Sequence, residues 1–235
     1  VLVYVPLGLV VVNSFNTSTT FTWPPSGFTL KWWDAARAST GARDALVRSL
    51  EVASLATVIS LVLGTMAALA LQRYRFFGRD AISLLIILPI ALPGIVTGIA
   101  LQNAFTTVLG IGLGFWTIVV AHATFCIVTV FNNVIARLRQ TQTSLIEASM
   151  DLGASGLQTF RYVTLPVIST ALIAGGLLAF ALSFDEVIVT TFTAGAQNTL
   201  PLWIFGNIRL GQQLPQVNVV VLWVLALTII PVILA

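Results

Sequence analysis

Residues 52–71 read VASLATVISLVLGTMAALAL, a run of twenty residues without a charged side chain. An α-helix needs about 20 apolar residues to cross the hydrocarbon core of a bilayer. The same character extends over the chain, which has 235 residues, 57% of them hydrophobic and only 8% charged, and a mean hydropathy of +0.99. Because a soluble domain carries about a quarter charged residues, we predict an all-α polytopic membrane protein.

Five further apolar runs accompany this one. The run at the start of the chain, residues 1–12, is too short for a full span and does not begin with Met, so we expect the chain to start within a helix. The run at the other end stops abruptly. No run has the small-residue cleavage site of a signal peptide. We therefore predict a single transmembrane domain over residues 1–235 with six spans. The predicted spans are 1–12 (truncated), 52–71, 81–104, 115–136, 167–191 and 217–235.

Basic residues in the short loops predict the orientation, because Lys and Arg resist translocation. Three arginines lie in the loop 72–80 and three in the loop 137–166, whereas the loop 106–114 has no charged residue. Both Arg-rich loops are therefore predicted to be cytoplasmic. The segment 13–49 is then an outer loop, whose tryptophans are typical of the membrane interface, with receptor docking as the alternative. The six arginines are Arg73, Arg75, Arg79, Arg137, Arg139 and Arg161.

Charge and motif content exclude several classes of function. The formal charge of +3 comes from 11 basic and 8 acidic residues that are spread thinly, unlike the dense basic stripe of a nucleic-acid-binding protein. The single cysteine, Cys126, excludes a disulfide framework and a multi-cysteine metal site. The single lysine, Lys31, does not follow a glycine, so the chain has no phosphate-binding Gly-x-x-x-x-Gly-Lys loop. We expect no catalytic residues, and ATP must be bound by another polypeptide.

The loop between the fourth and fifth predicted spans has the pattern of a helical hairpin. Ser144 and Glu147 have the spacing of a capping box, and Gly153 fits a left-handed stop. Ser155 is placed to cap a second short helix that ends before Pro166. The apolar residues of these helices fit either docking into a partner's groove or packing beneath the protein's own bundle. They are Leu145, Ile146, Ala148, Met150, Leu152, Leu157 and Phe160.

This loop resembles the EAA loop of binding-protein-dependent ABC importer permeases. The family pattern is Glu-Ala-Ala, three residues, Gly, nine residues, Ile, any residue and Leu-Pro. In this sequence, residues 147–149 read EAS, the glycine is Gly153, and Val163 stands in place of Ile before Leu165-Pro166. In the family the loop docks into a cleft of the ATPase subunit, so the resemblance implies a coupling loop at 143–166. The implied coupling residues are Glu147, Ala148, Ser149, Asp151, Leu152 and Gly153.

Over nearly the whole chain, the sequence also resembles the second membrane subunit of spermidine and putrescine importers, in their YdcV-like branch. The stretches that carry this resemblance are LPIALPGIVTG at 88–98, GFW at 114–116, HATFC at 122–126, DLGA at 151–154, SFDEV at 183–187 and TLPLW at 199–203. The better-known polyamine permeases have an acidic residue directly after the proline of the third span, where this chain has Pro93-Gly94. Phosphonate, a thiamine precursor or another small polar solute therefore stays open as cargo.

The resemblance implies a type I ABC importer permease fold with cytoplasmic coupling helices, in the cytoplasmic (inner) membrane of a bacterium. It also implies a non-catalytic subunit that forms a heterodimer with a sibling permease and works with two ATPase subunits and an external solute-binding protein. ATP and Mg would then bind to the ATPase, and no cofactor to this chain. A secondary transporter or a channel is the rival class, and neither would need an ATPase dock.

Asp185 and Glu186 are the only carboxylates deep in a predicted span. An ionisable residue in a helix interior costs roughly 2.5–3.5 kcal/mol unless it faces a cavity or a partner. The pair either reaches the outer interface or lines the translocation path, where Asp185 would attract a cation with cation–π support from nearby aromatic rings. The resemblance associates this stretch with substrate passage. The predicted path residues are Asp185, Glu186, Ser183, Phe184 and Trp203.

Prolines and glycines interrupt the third and fifth predicted spans. Proline frees backbone carbonyls that a neighbour or a wet cavity must satisfy, so interruptions line transport paths, although small residues also allow close helix packing. We interpret Gly175 and Gly176 as packing residues and His122 as an interhelical hydrogen-bonding residue, because a metal site needs further ligands nearby. The third span is interrupted at Pro89, Pro93, Gly94 and Gly98.

Overall fold

The computed structural model of the chain describes residues 4–21, 23–74, 76–211 and 213–234, without the side chains of residues 143 and 228–234. The outermost residues of the first and last predicted spans, 1–3 and 235, lie outside this described part, and so does Arg75 of the Arg-rich loop.

All named elements of the described residues are helices, with one-turn π-helices at Ala104–Val108 and Phe160–Thr164. The helices are α1 (Tyr4–Asn13), α2 (Lys31–Ala38), α3 (Thr40–Arg73), α4 (Arg79–Ala91), α5 (Gly94–Asn103), α6 (Phe115–Gln140), α7 (Thr143–Asp151), α8 (Gly156–Thr159), α9 (Leu165–Phe184), α10 (Ile188–Thr193), α11 (Leu200–Leu210) and α12 (Leu214–Leu234).

Three helical segments of the described chain are long and apolar enough to cross a membrane, namely Thr40–Arg73, Phe115–Gln140 and Gly156–Phe184. A fourth candidate is the pair formed by α4 and the run Gly94–Val108, which bends by 106° at its break. The first and last predicted spans correspond to shorter apolar helices in the described residues. The six apolar runs of the sequence are therefore helical, but they differ in length and in continuity.

The chain divides into two compact units, Val1–Arg48 with Asn198–Ala235, and Ser49–Gln197. In the first unit, the segment that we predicted as an outer loop contains α2, which packs against α12. The indole nitrogen of Trp32 donates to the backbone oxygen of Asn16 at 2.7 Å, and Trp32 is buried rather than exposed at an interface. Trp33 stacks on Phe15 and contacts Trp223 edge-on.

The second unit is built around α6, which packs against α9, α10 and α4. Glycine allows the α9 backbone to approach α6, because a β-carbon on Gly175 would lie 3.3 Å from the α-carbon of Val130. The neighbouring Gly176 lies against Leu61 of α3, at an ordinary contact distance of 3.4 Å for an added β-carbon. The packing interpretation of these two glycines is confirmed.

The fifth predicted span is wrong as a continuous helix over 167–191. The backbone leaves helical geometry after Phe184, where Asp185 has φ −93° and ψ 1°, and α10 begins at Ile188. Glu186 starts the new helix, since its carboxylate oxygen accepts the amide of Val189 at 2.9 Å. A carboxylate that satisfies a free first-turn amide stabilises a helix start, and Asp185 and Glu186 therefore lie at a helix break instead of in a helix interior.

We had expected the second short helix to end before Pro166, and this prediction is wrong. The run from Gly156 to Phe184 is continuous, with Pro166 in the first turn of α9 and a π-helical turn at Phe160–Thr164 just before it. A proline lacks an amide proton and clashes with the carbonyl four residues earlier. Hydrogen bonds of i→i+5 type at the π-helical turn change the local register, and the helix can continue through the proline.

Candidate functional site

Residues 143–159, called the hairpin below, form α7, a tight turn and α8. The predicted capping box of Ser144 and Glu147 is wrong, because the residue at the cap position of α7 is Gln142, two residues earlier, and α7 has no side-chain cap. The predicted stop is confirmed, since Gly153 has φ +86°, a conformation that costs a non-glycine residue roughly 1–2 kcal/mol. Ser155 caps the second helix as predicted, and its partner is Gln158.

A hydrogen bond closes the hairpin. The hydroxyl groups of Ser149 and Thr159 lie 3.0 Å apart, which joins α7 to the end of α8. Around the turn, the amide of Ala154 donates to the backbone oxygen of Ser149 at 3.1 Å. The amide of Gly153 donates to the backbone oxygen of Met150 at 2.9 Å. Ser149, which replaces the alanine of the EAA pattern, therefore faces the inside of the hairpin and is only partly exposed.

The apolar residues of the hairpin divide between two surfaces. Leu152 is 89% exposed and Leu157 is 77% exposed, so their side chains are available to a partner. Ile146 and Phe160 instead line a cavity of about 320 Å³ beneath the hairpin, together with residues near the ends of α3 and α6. The two surfaces share residues, since Glu147 and Met150 are exposed and also line this cavity. Of the predicted coupling set, the exposed members are Glu147, Ala148, Asp151, Leu152 and Gly153.

The two broken spans meet at a second, smaller cavity. The break between α4 and α5 lies at Leu92 and Pro93, whereas Pro89 lies within α4 and Gly98 within α5, so neither of these two interrupts a helix. A cavity of about 200 Å³ is lined by residues of this break, by Phe125, and by residues that flank the break between α9 and α10. Glu186 is the one acidic residue among them. The lining residues are Pro89, Ile90, Leu92, Gly94, Thr97, Phe125, Leu182, Glu186 and Val189.

The structure places the other predicted path residues in different surroundings. Asp185 is exposed in this chain and Phe184 is partly buried, with its ring stacked on Phe180 at a centroid distance of 6.1 Å. Ser183 is buried. Trp203 belongs to the first unit, where its indole lies against Gly41 of α3.

His122 of α6 is an interhelical hydrogen-bonding residue, as predicted. Its ring is 1% exposed, and its Nδ1 and Nε2 atoms each lie 2.8 Å from a hydroxyl oxygen, that of Ser183 and that of Thr190 respectively. In the described residues, no group of three or more His, Cys, Asp or Glu side chains could hold a metal ion. Sequence analysis missed Thr190, although acidic residues at the start of a helix, here Asp185 and Glu186, are a signal for the start of α10.

Comparison with solved structures shows the fold. A bacterial ABC transporter involved in the import of the acidic polysaccharide alginate aligns with a TM-score of 0.73 and 16% identity, covering 99% of this chain and 90% of that one. The methionine ABC transporter MetNI aligns with a TM-score of 0.62 and 18% identity, covering 82% and 93%. The predicted type I ABC importer permease fold is confirmed.

Proteins found by sequence comparison share a higher identity with this chain than these solved structures do. The spermidine/putrescine transport system permease protein PotC of Escherichia coli (strain K12) is 36% identical over 232 residues, which covers 98% of this chain and 86% of PotC. The putrescine transport system permease protein PotI of the same strain is 36% identical over 223 residues, covering 92% and 78%. The profile of the binding-protein-dependent transport system inner membrane components matches residues 60–235. The chain belongs to this family and is the membrane permease component of an ABC importer.

Proposed function

We propose that this permease moves putrescine- or spermidine-like cations across the cytoplasmic membrane of a bacterium, as a single transmembrane domain. The proposal is supported by the similarity to permeases named for these polyamines and by the chemistry of the broken spans. The observation that carries it is the position of Asp185 and Glu186 at a break beside the 200 Å³ cavity.

Glu186 supplies the negative charge of this site. The last turns of α4 and α9 and the first turns of α5 and α10 all contribute residues to the cavity. The carboxyl end of a helix carries roughly half a negative charge and the amino end roughly half a positive charge, so the two pairs of helix ends offset each other. The carboxylate of Glu186 therefore favours a positively charged group. The exposed carboxylate of Asp185 would meet the cargo beside it.

For the remaining partners, we propose the assembly of this permease with a sibling permease, two ATPase subunits and an external solute-binding protein. The chain itself is then non-catalytic, with ATP and Mg on the ATPase. Leu152 and Leu157 would enter the cleft of an ATPase subunit as an apolar helix surface enters a groove. Closure of the ATPases on ATP would pull on the hairpin and rock the two permeases between states in which it makes different contacts.

The test is ATP hydrolysis by the reconstituted complex of permeases, ATPase and binding protein, with putrescine, spermidine, and neutral or anionic solutes in turn. We expect polyamines to stimulate hydrolysis, and Asp185→Asn to abolish this stimulation without loss of assembly. The matched control is Asp80→Asn, in the first turn of α4 and roughly 18 Å along that helix from its break at 1.5 Å per residue. Stimulation by a neutral or anionic solute alone would replace the polyamine assignment with another small polar cargo.

A further inference from the structure

We propose that His122 is a positioning residue, which holds the break between α9 and α10 and thereby fixes the carboxylates of Asp185 and Glu186 at the cation path. The inference rests on the proposed function, because it assigns a support for the same site. His122 itself touches neither carboxylate, and it acts through two hydroxyl groups.

The hydrogen bonds of His122 lie on both sides of the break. Ser183 precedes Asp185 by two residues and belongs to the last turn of α9, whereas Thr190 belongs to α10. The ring of His122 bonds to each hydroxyl at 2.8 Å. One side chain of α6 therefore joins the two helix ends that flank the break at residues 185–187.

Thr190 passes this constraint on to the acidic pair. Its hydroxyl donates to the backbone oxygen of Glu186 at 2.7 Å, and the carboxylate of Glu186 accepts the amide of Val189 at 2.9 Å. Backbone and side chain of Glu186 are thus both bound to the first turns of α10. Since His122 fixes α10 to α9, it also fixes Glu186 and the adjacent Asp185.

The protonation of the ring follows from the same bonds. The single hydroxyl proton of Thr190 is used in the bond to Glu186, so its oxygen must accept the proton on Nε2 of His122. Nδ1 is then the acceptor for the hydroxyl of Ser183. The geometry points to the neutral tautomer with its proton on Nε2, and the bond that each nitrogen makes decides where the proton lies.

Burial also favours a neutral ring. His122, Ser183 and Thr190 are each at most 3% exposed, and His122 belongs to no ion pair in the described part of the chain. Burying an unpaired charge is expensive. With both nitrogens bonded, a neutral ring leaves no ring nitrogen unsatisfied, whereas removal of one hydroxyl would leave a buried donor or acceptor without a partner.

Thr190 offers a matched pair of variants that test the positioning role. Thr190→Val keeps the shape of the side chain and removes the hydroxyl, whereas Thr190→Ser keeps the hydroxyl. In the reconstituted complex, we expect Thr190→Val to lower the ratio of cargo-stimulated to basal ATP hydrolysis about tenfold, the effect of one unsatisfied buried group. Thr190→Ser should keep a ratio near that of the wild type. Equal ratios in the two variants, or loss of assembly in Thr190→Val alone, would overturn the proposal.

The tautomer is tested without a functional assay. His122 is the only histidine of this chain, so in a complex labelled with ¹⁵N- and ¹³C-histidine its signal is the one that disappears in the His122→Asn variant. Solid-state carbon–nitrogen correlations then identify the protonated ring nitrogen. We expect Nε2, and a ring protonated on Nδ1 or on both nitrogens would contradict the arrangement.

The two proposals can fail separately. The stimulation ratio is measured with whichever solute stimulates the wild-type complex most. If that solute is neither putrescine nor spermidine, the polyamine assignment fails, while the comparison of Thr190→Val with Thr190→Ser still decides the role of His122.

Discussion

The ring of Phe192 occupies the space that a side chain at Gly98 would need. A β-carbon on Gly98 would lie 2.6 Å from Cδ2 of Phe192 and 3.2 Å from its Cγ, closer than two carbon atoms can pack. Gly98 lies in α5 and Phe192 in α10, and each of these helices follows the break of its span. The contact therefore joins the two broken spans directly beyond the cavity between them.

Gly98→Ala should destabilise this contact. The added methyl group forces the ring and the backbone of α10 apart, and overpacking of this kind costs about 1–3 kcal/mol. We expect a lower apparent melting temperature of the purified complex in detergent, measured by intrinsic fluorescence. The control is Gly94→Ala, whose β-carbon would lie 3.6 Å from Ile188 at an ordinary contact distance. Addition of Phe192→Leu should restore part of the loss, and a Gly98→Ala complex as stable as the control would contradict the packing argument.

Two glycines of the hairpin allow the effect of backbone conformation to be tested separately from the effect of available space. Nothing lies within 4 Å of a β-carbon on either Gly153 or Gly156, but only Gly153 has a positive φ, +86°. Gly153→Ala should therefore cost roughly 1–2 kcal/mol of local strain, whereas Gly156→Ala should be neutral or favourable, because alanine is the better helix former. We expect the first variant alone to reduce stimulated ATP hydrolysis, by up to about tenfold. Equal activity of both variants would show that the turn need not keep its geometry.

The exposed leucines of the hairpin should be needed for retention of the ATPase. Leu152 is 89% exposed, so Leu152→Asp leaves the permease fold intact and places a charge in the proposed cleft contact. Apolar anchors of interfaces are commonly worth 2 kcal/mol or more, and we expect the amount of ATPase that co-purifies to fall at least about tenfold. Leu109→Asp, at a residue that is 60% exposed after the π-helical turn of the third span, is the control. Full retention of the ATPase in Leu152→Asp would remove Leu152 from the docking surface.

Glu186 accepts the amide of Val189 and is proposed to attract the cargo, and substitution can separate these two roles. Glu186→Gln keeps an oxygen that can accept the amide of Val189 but loses the charge, whereas Glu186→Ala loses both. Loss of a capping acceptor costs about 1 kcal/mol. We therefore expect a lower melting temperature for Glu186→Ala than for Glu186→Gln. Equal melting temperatures would mean that the carboxylate does not stabilise the start of α10.

Cargo uptake by Glu186→Gln then measures the contribution of its charge, and it is compared with uptake by Asp185→Asn. If Asp185 provides most of the attraction, as its exposure indicates, Asp185→Asn should have the larger effect on polyamine uptake. The opposite order would assign the attraction to Glu186 and to the cavity that it lines.

Local sequence signals predicted the hairpin well where they act over a few residues. Gly153 and Ser155 stop and start helices through their own backbone and side-chain bonds, and both positions were found from the sequence. The cap position of α7 was missed by two residues, because Gln142 and not Ser144 precedes the helix. The continuation of the helix through Pro166 was also missed, because a one-turn π-helix leaves no pattern in apolar spacing.

The apolar runs determine that this chain is helical and belongs in a membrane. In hydrocarbon, a single segment satisfies its backbone hydrogen-bonding groups by forming a helix. The EAA loop likewise gives the family from sequence alone. The break after Phe184 has a local signal in the carboxylate of Glu186, which caps the start of α10. The burial of His122 between Ser183 and Thr190 and the contact of Gly98 with Phe192 are decided by tertiary structure. Each depends on residues from different helices, and the sequence along one helix contains no information on which neighbour will supply the hydroxyl, the ring or the space.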